Sequence, residues 1–242
     1  MRNKSFTVFL SFLTAFTLLS VVGCGDDDTA GPDDTTLTDI DGNVYQTVRI
    51  GSQVWMMENL KVTHYRNGDV IPNVIESGAW SSLSTGAYCE YDNDAGNVAV
   101  YGRLYNWFAV ADGRNIAPQG WHVAGDAEWK QMEIYLGMSQ ADADSISRRG
   151  TDEGGKIKEI DTTHWNSPNT GATNESGFTA LPAGCSDEDG RFLDMDECAL
   201  FWSSTEYDSA DAYYRVLWYD ESYIGRERYD KKSGFSVRCV KN

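Results

Sequence analysis

Seven residues, Val44-Tyr45-Gln46-Thr47-Val48-Arg49-Ile50, alternate with period two; Gly51-Ser52 supplies a turn, and the Gln-Val-Trp-Met-Met run at 53–57 follows, which predicts a β-hairpin. Between 101 and 110 the periodicity changes: Tyr101, Leu104, Tyr105, Phe108 and Ala109 recur every three or four positions and predict a helix. A second helix is predicted over 126–136, where Trp129, Met132, Ile134, Tyr135 and Leu136 include the i, i+3 spacing. Gly125 or Asp126 can cap it, Glu128 stands at the third helical position if Gly125 is the cap, and Gly137 closes it. From there to Gly184 the chain runs in short segments broken by Gly, Pro, Asn and Ser, with Asn169, Asn174, Ser176 and Gly177 placed to fix loop backbone. Strands are predicted at 200–203, 213–219 and 235–240, with a charged stretch at 226–232 between the last two. Strands, two helices, long loops and strands again give an α+β class.

Composition narrows the function classes. The chain has 242 residues, 41% of them hydrophobic, with eight Trp and thirteen Tyr, enough apolar surface for one large domain with a real core. Its net charge of −17 repels phosphate backbones and anionic lipid, so nucleic-acid binding is excluded as a partner class and a polybasic membrane contact is disfavoured. The same charge favours solubility and attracts calcium.

The N-terminus sets the expected address. Arg2 and Lys4 precede an apolar run from Phe6 to Val22, and Val21-Val22-Gly23-Cys24 resembles a bacterial lipoprotein lipobox. That resemblance implies a signal peptide over 1–23 and acylation of Cys24, hence membrane attachment through an N-terminal lipid, in the outer membrane and displayed at the surface. Removing 1–23 takes away Arg2 and Lys4 and moves the charge from −17 to −19. Residues 24–38, rich in Asp, Thr, Gly and Pro, read as a disordered acidic tether, and a single domain is expected over 39–242. Asp39-Ile40-Asp41-Gly42-Asn43 has the look of a calcium loop but lacks its third acidic position and distal Glu, so it reads as a tight turn.

Four further cysteines, Cys89, Cys185, Cys198 and Cys239, are an even number in a chain bound for an oxidising compartment, so disulfides are expected. Three connectivities are possible. Cys185 with Cys198 is favoured because they bracket a short polar loop, which leaves Cys89 with Cys239. His64, His122 and His164 offer little for a zinc cluster, and no G-x-S-x-G elbow, H-E-x-x-H or P-loop occurs. Glu206 would need a partner carboxylate for glycoside hydrolysis.

Several blocks resemble the Fibrobacter succinogenes major paralogous domain family: DIDGNVYQTVRIGSQVWMMENLK, YGRLYNW, GWHVAGDAEW, GGKIKE, HWNSPNTGATNESGFTALPAG, FWSSTE and GFSVRCVKN, in that family's order. The resemblance implies an exported or lipid-anchored protein with no established catalytic activity. More distantly, GWHVAGDAEW and GFSVRC are similar to segments of formylglycine-generating and sulfatase-modifying-factor domains. That likeness implies a C-type-lectin-like fold, two helices packed on a twisted, mainly antiparallel sheet with long loops. This chain departs from the family at Ala117-Pro118-Gln119, where Cys and Pro are usual, and at Ala124, where Pro is usual; the first departure weakens the pairing of Cys89 with Cys239.

The expected activity is recognition or adhesion, binding glycan or a surface protein; the alternatives are an enzyme of the formylglycine-generating type, a hydrolase, or a structural surface protein. A copper oxidase would need closely spaced cysteines, which are absent. Trp80, Trp165, Trp218, Tyr219 and Tyr223, in polar or loop-like surroundings, are the candidate ligand contacts, whereas Trp55, Trp107, Trp121, Trp129 and Trp202 are assigned to the core. Calcium is the one cofactor considered, with Asp92, Asp94, Asp187, Asp189, Asp194 and Asp196 as candidate ligands.

Overall fold

Leu37 decides where the folded body starts. In a computed structural model that describes residues 35–242, its side chain is buried and Thr36–Thr38 (β1) pairs antiparallel with Val44–Ile50 (β2), Leu37 opposite Tyr45. Three residues expected in the tether are therefore strand. The leader, Cys24 and the rest of the tether lie outside the described residues. The Asp39–Asn43 segment is the tight turn: Asp39 accepts from the Asp41 and Asn43 amides through Oδ1 and from Asn43 Nδ2 and Tyr45 OH through Oδ2. The predicted hairpin forms as β2 and Gln53–Met56 (β3).

The strands that follow are Tyr88–Cys89 (β4), Leu104–Asn106 (β5), Trp121–Val123 (β6), Ser147–Arg149 (β7), Ala183–Ser186 (β8) and Phe192–Met195 (β9). Cys198–Glu206 (β10), Asp211–Trp218 (β11), Ile224–Asp230 (β12), Gly234–Phe235 (β13) and Cys239–Lys241 (β14) complete the set. They make a five-stranded antiparallel sheet in the order β1-β2-β3-β14-β6 and a nine-stranded sheet in the order β4-β5-β13-β8-β10-β11-β12-β7, with β9 added against β8. Among the described residues only β8 and β10 run parallel as paired strands. The α+β class holds, with strands dominant and helices short.

Three predicted elements are corrected. Residues 101–110 are not one helix but a turn of helix at Val98–Tyr101, strand β5, and a second turn at Trp107–Val110. Gly102 at φ +73° breaks the first, and Asn106 starts the second by accepting from the Ala109 amide at 3.0 Å. Residues 235–240 split between the sheets, β13 in one and β14 in the other. The charged stretch 226–232 is mostly strand β12. One long helix, Asp126–Tyr135 (α1), forms as predicted, with the Gly125 amide donating to Glu128 Oε2 at 2.7 Å, so the two-helix expectation is half met. Just before it, the Ala124 amide donates to Arg238 O at 3.1 Å, a bond a proline there cannot make.

The core lies on both faces of β10–β11. Leu200, Trp202, Ala212 and Val216 join one apolar cluster, while Ala199, Phe201 and Leu217 join a second with Trp55, Trp129 and Phe178. All five tryptophans assigned to the core are buried.

Helix α1 is fixed to the nine-stranded sheet by buried charge. Glu133 takes both Arg149 Nη1 and Nη2 (2.8 and 2.9 Å) and Arg215 Nε (2.6 Å). Asp126 takes Arg215 Nη1 (3.0 Å) and Arg226 Nε and Nη2 (2.8 and 2.9 Å). Burial opposes ionisation of Asp126, yet the Arg226 bonds and the Arg215 charge hold its carboxyl well below the usual range. Glu133→Ala, which leaves Arg149 without a counter-charge and Arg215 with Asp126 alone, is expected to cost about 3–5 kcal/mol, read as a lowered urea midpoint. Because Asp126 is depressed, its contribution is whole above its unfolded pKa of about 4 and is lost as pH falls further; Asp126→Asn should flatten the acid limb of the stability curve below about pH 4.

Candidate binding surface on the β11–β12 hairpin

No hydrolytic or redox constellation is assembled among the described residues. His64 Nδ1 meets both Asp41 Oδ1 (2.5 Å) and Thr63 Oγ1 (3.0 Å), so one nitrogen serves both contacts, whereas a base relay needs the nucleophile and the carboxylate on opposite nitrogens. His122 Nδ1 contacts Asn242 while its Nε2 lies 3.5 Å from Glu128, and His164 Nδ1 contacts Glu159. Glu206 Oε1 is paired with Lys231 Nζ at 2.5 Å.

The disulfide expectation is overturned: Cys89, Cys185, Cys198 and Cys239 are free and buried. Gly184 lies opposite Ala199 in the parallel β8–β10 pair, so Cys185 and Cys198 are displaced by two residues along the strands. Strand spacing then puts their Cα atoms about 8 Å apart, beyond the roughly 7 Å a cystine spans. Cys89 on β4 and Cys239 on β14 belong to different sheets. Burial pushes all four thiols up, Cys89 and Cys185 to about 12, which leaves them unreactive.

The calcium candidates do not converge, and among the described residues no group of three His, Cys, Asp or Glu is placed to hold a metal. Asp94 accepts from the Gly96 amide, Asp187 from the Arg191 amide and Nε, and Asp196 from Tyr101 OH. Asp189 pairs with Arg191, Asp92 is an exposed turn residue at φ +55°, and burial raises the Asp194 carboxyl.

Of the five aromatic candidates, Trp80 and Trp165 are buried at 1% exposure and cannot meet a ligand, because each fills a core cluster. Trp218, Tyr219 and Tyr223 are half-buried at the β11–β12 turn. Trp218 packs on one core cluster and Tyr219 on the other, so alternation sends them to opposite faces of the sheet and they form no single patch. Beneath this turn Lys158 donates to Thr170 O, Trp218 O and Glu221 O (2.9, 3.1 and 2.9 Å) above the Trp165 ring, and burial brings its ammonium down to about 8. The turn packs so tightly on residues 153–157 that a Cβ on Gly154 would sit 2.1 Å from Tyr223 O. The loop assignments hold: Asn169 Nδ2 donates to Glu159 O and Asp161 O, Asn174 Oδ1 accepts from the Thr179 amide, and Ser176 Oγ donates to Lys156 O, with Gly177 at φ +72°.

The opposite end of the hairpin carries residues that sequence reasoning missed. Tyr213 lies directly across from Arg228, on the same face as the Arg215–Arg226 pair two residues away that α1 covers. Beyond the helix that face is open: Tyr207 and Arg228 are exposed and Tyr213 is half-buried. The Tyr207 and Tyr213 rings meet edge to face at 5.3 Å, Arg228 stacks over Tyr207 at 4.4 Å, and Arg226 stacks over Tyr213 at 4.2 Å. Arg228 has no ion-pair partner among the described residues. Asp208 Oδ1 pins the adjoining turn by accepting from the Ala210 and Asp211 amides (2.8 and 2.9 Å).

These features define an α+β domain of curled, mostly antiparallel sheets with short helices. Residues 48–241 match the Fibrobacter succinogenes major domain, and the chain belongs to that family. No curated protein and no solved structure matches it.

Two outcomes test this geometry. In native protein none of Cys89, Cys185, Cys198 and Cys239 should react with a thiol reagent, and in denaturant without reductant all four should; peptide mapping by mass spectrometry reads both. Lys158→Met, which orphans three buried carbonyls, should cost about 3 kcal/mol and speed hydrogen exchange at 168–172 and 218–223 before the rest of the domain.

Proposed function

We propose that this chain is a lipid-anchored envelope protein whose domain, of C-type-lectin-like type, is a non-catalytic recognition module that binds glycan. The observation that carries this reading is the exposed Tyr207–Tyr213 pair with Arg228 stacked on it. Phenol faces present apolar surface for a sugar ring and hydroxyls at their rim, and a stacked guanidinium offers donors to sugar oxygens. Two further features support it. The ribbon is anchored through Arg226 and Arg215 to α1, so little ordering entropy is lost on contact, and the acidic surface of a chain at −17 disfavours phosphate-bearing partners. The lipobox resemblance at Val21-Val22-Gly23-Cys24 supports the anchor.

Sedimentation of the full chain with microcrystalline cellulose, insoluble xylan and insoluble mannan tests the reading. Binding to at least one is expected, weakened about tenfold or more by Tyr207→Ala or Tyr213→Ala and unaffected by chelator. Failure to bind any of the three, or undiminished binding by the double variant, overturns it.

A further inference from the structure

A second site, sharing no residue with that face, is a groove where β1 runs into the turn at Asp39. Its volume is about 250 Å³, and Ile40, Val62, Ile116 and Pro118 give it apolar walls, with Asp39 and Arg66 as its charged lining. The two charges differ in how far they are spent. Asp39 already accepts four hydrogen bonds, two on each oxygen, which fills a carboxylate's capacity. Arg66 is fixed by backbone oxygens alone: Nε donates to Ala117 O at 3.1 Å, and Nη2 to Ala117 O, Pro118 O and Trp121 O at 2.9, 2.9 and 2.7 Å. Nη1 makes no hydrogen bond within the described residues, and no described carboxylate comes within ion-pairing distance of the guanidinium. Arg66 is thus a half-buried cation whose orientation is set by carbonyls and which keeps one guanidinium nitrogen open in the lining of an apolar-walled groove.

We propose that this groove binds a small carboxylate with an apolar body. The carboxylate meets Nη1 of Arg66 in a charge-assisted hydrogen bond, and the apolar body lies against Ile40, Val62, Ile116 and Pro118. The carbonyls that hold Nε and Nη2 leave only one guanidinium nitrogen open, so the contact is single and the charge of the ligand matters more than a bidentate fit. At about 250 Å³ the groove is smaller than the pockets that hold drug-sized ligands, which points to a short-chain acid. Asp39, saturated by its own turn, neither swings to neutralise Arg66 nor acts as a base, so the site binds without chemistry.

The test uses the full chain in nanodiscs of uncharged lipid, with methyl NMR as the readout and 3-methylbutanoate as the probe against its neutral counterpart 3-methylbutanamide. Saturable shifts of the Ile40, Val62 and Ile116 methyls are expected with the carboxylate, and about tenfold weaker binding of the amide. Ile40→Glu, a change at a half-exposed rim position, sets a fixed carboxylate at the groove and should abolish the shifts while the rest of the spectrum stays unchanged. Equal affinity for acid and amide, shifts that do not saturate, shifts confined to other methyls, or undiminished binding by Ile40→Glu each overturn the proposal. Tyr207→Ala and Tyr213→Ala should leave it untouched, so failure here and failure of glycan binding are separate results.

Discussion

Three cations, each gathering three backbone carbonyls, hold together a chain that spends much of its length outside regular structure. Arg238 donates to Met56 O, Phe178 O and Thr179 O, Lys158 to Thr170 O, Trp218 O and Glu221 O, and Arg66 to Ala117 O, Pro118 O and Trp121 O. A loop that enters the interior brings carbonyls with no ladder to join, and each unsatisfied one costs free energy comparable to a lost hydrogen bond. Long, multivalent donors reach several at once. Arg238 shows what this demands of the cation: fully buried between the Phe178 and Phe201 rings, it has Asn59 as its one side-chain hydrogen-bond acceptor among the described residues, and burial lowers its guanidinium to about 9. The charge is kept because the carbonyl dipoles around it do the work of a counter-ion.

The same logic with opposite bookkeeping operates under helix α1, where Asp126 and Glu133 bind Arg149, Arg215 and Arg226, all of them buried. One kind of cation ties loops to the sheets; the other ties the helix to them. Between the two, the hairpin β11–β12 is held at its turn by Lys158 and along its length by α1, so the aromatic face beyond the helix is carried on backbone with little freedom left. That rigidity suits a surface for contact.

What was legible in the sequence depended on how local the cause was. The β2–β3 hairpin, helix α1 and its Gly125 start, the Asp39 turn and the Asn-Ser-Gly loop follow from spacing and side-chain capping within a few residues, and the five core tryptophans follow from their apolar surroundings. The misread elements have distant causes. Arg226 looked like part of a charged linker because its neutralising partner, Asp126, lies 100 residues earlier. The segment 101–110 kept a helical period while Gly102 and Asn106 interrupted it, and 235–240 reads as one strand although Arg238 turns it from one sheet into the other. At the site, Trp165 in a polar run gave no sign that Lys158 would sit over it, and the juxtaposition of Tyr213 with Arg228 exists only once the β11–β12 register is set. The pairing of Tyr207 with Tyr213, flanking the Asp208 turn, was the one signal within reach.

The unpaired state of Cys89, Cys185, Cys198 and Cys239 bears on how such a protein is made. A scaffold whose loops are gathered by guanidinium and ammonium groups draws none of that cohesion from oxidation of these four thiols. Reductant in its surroundings therefore breaks no bond between these four residues.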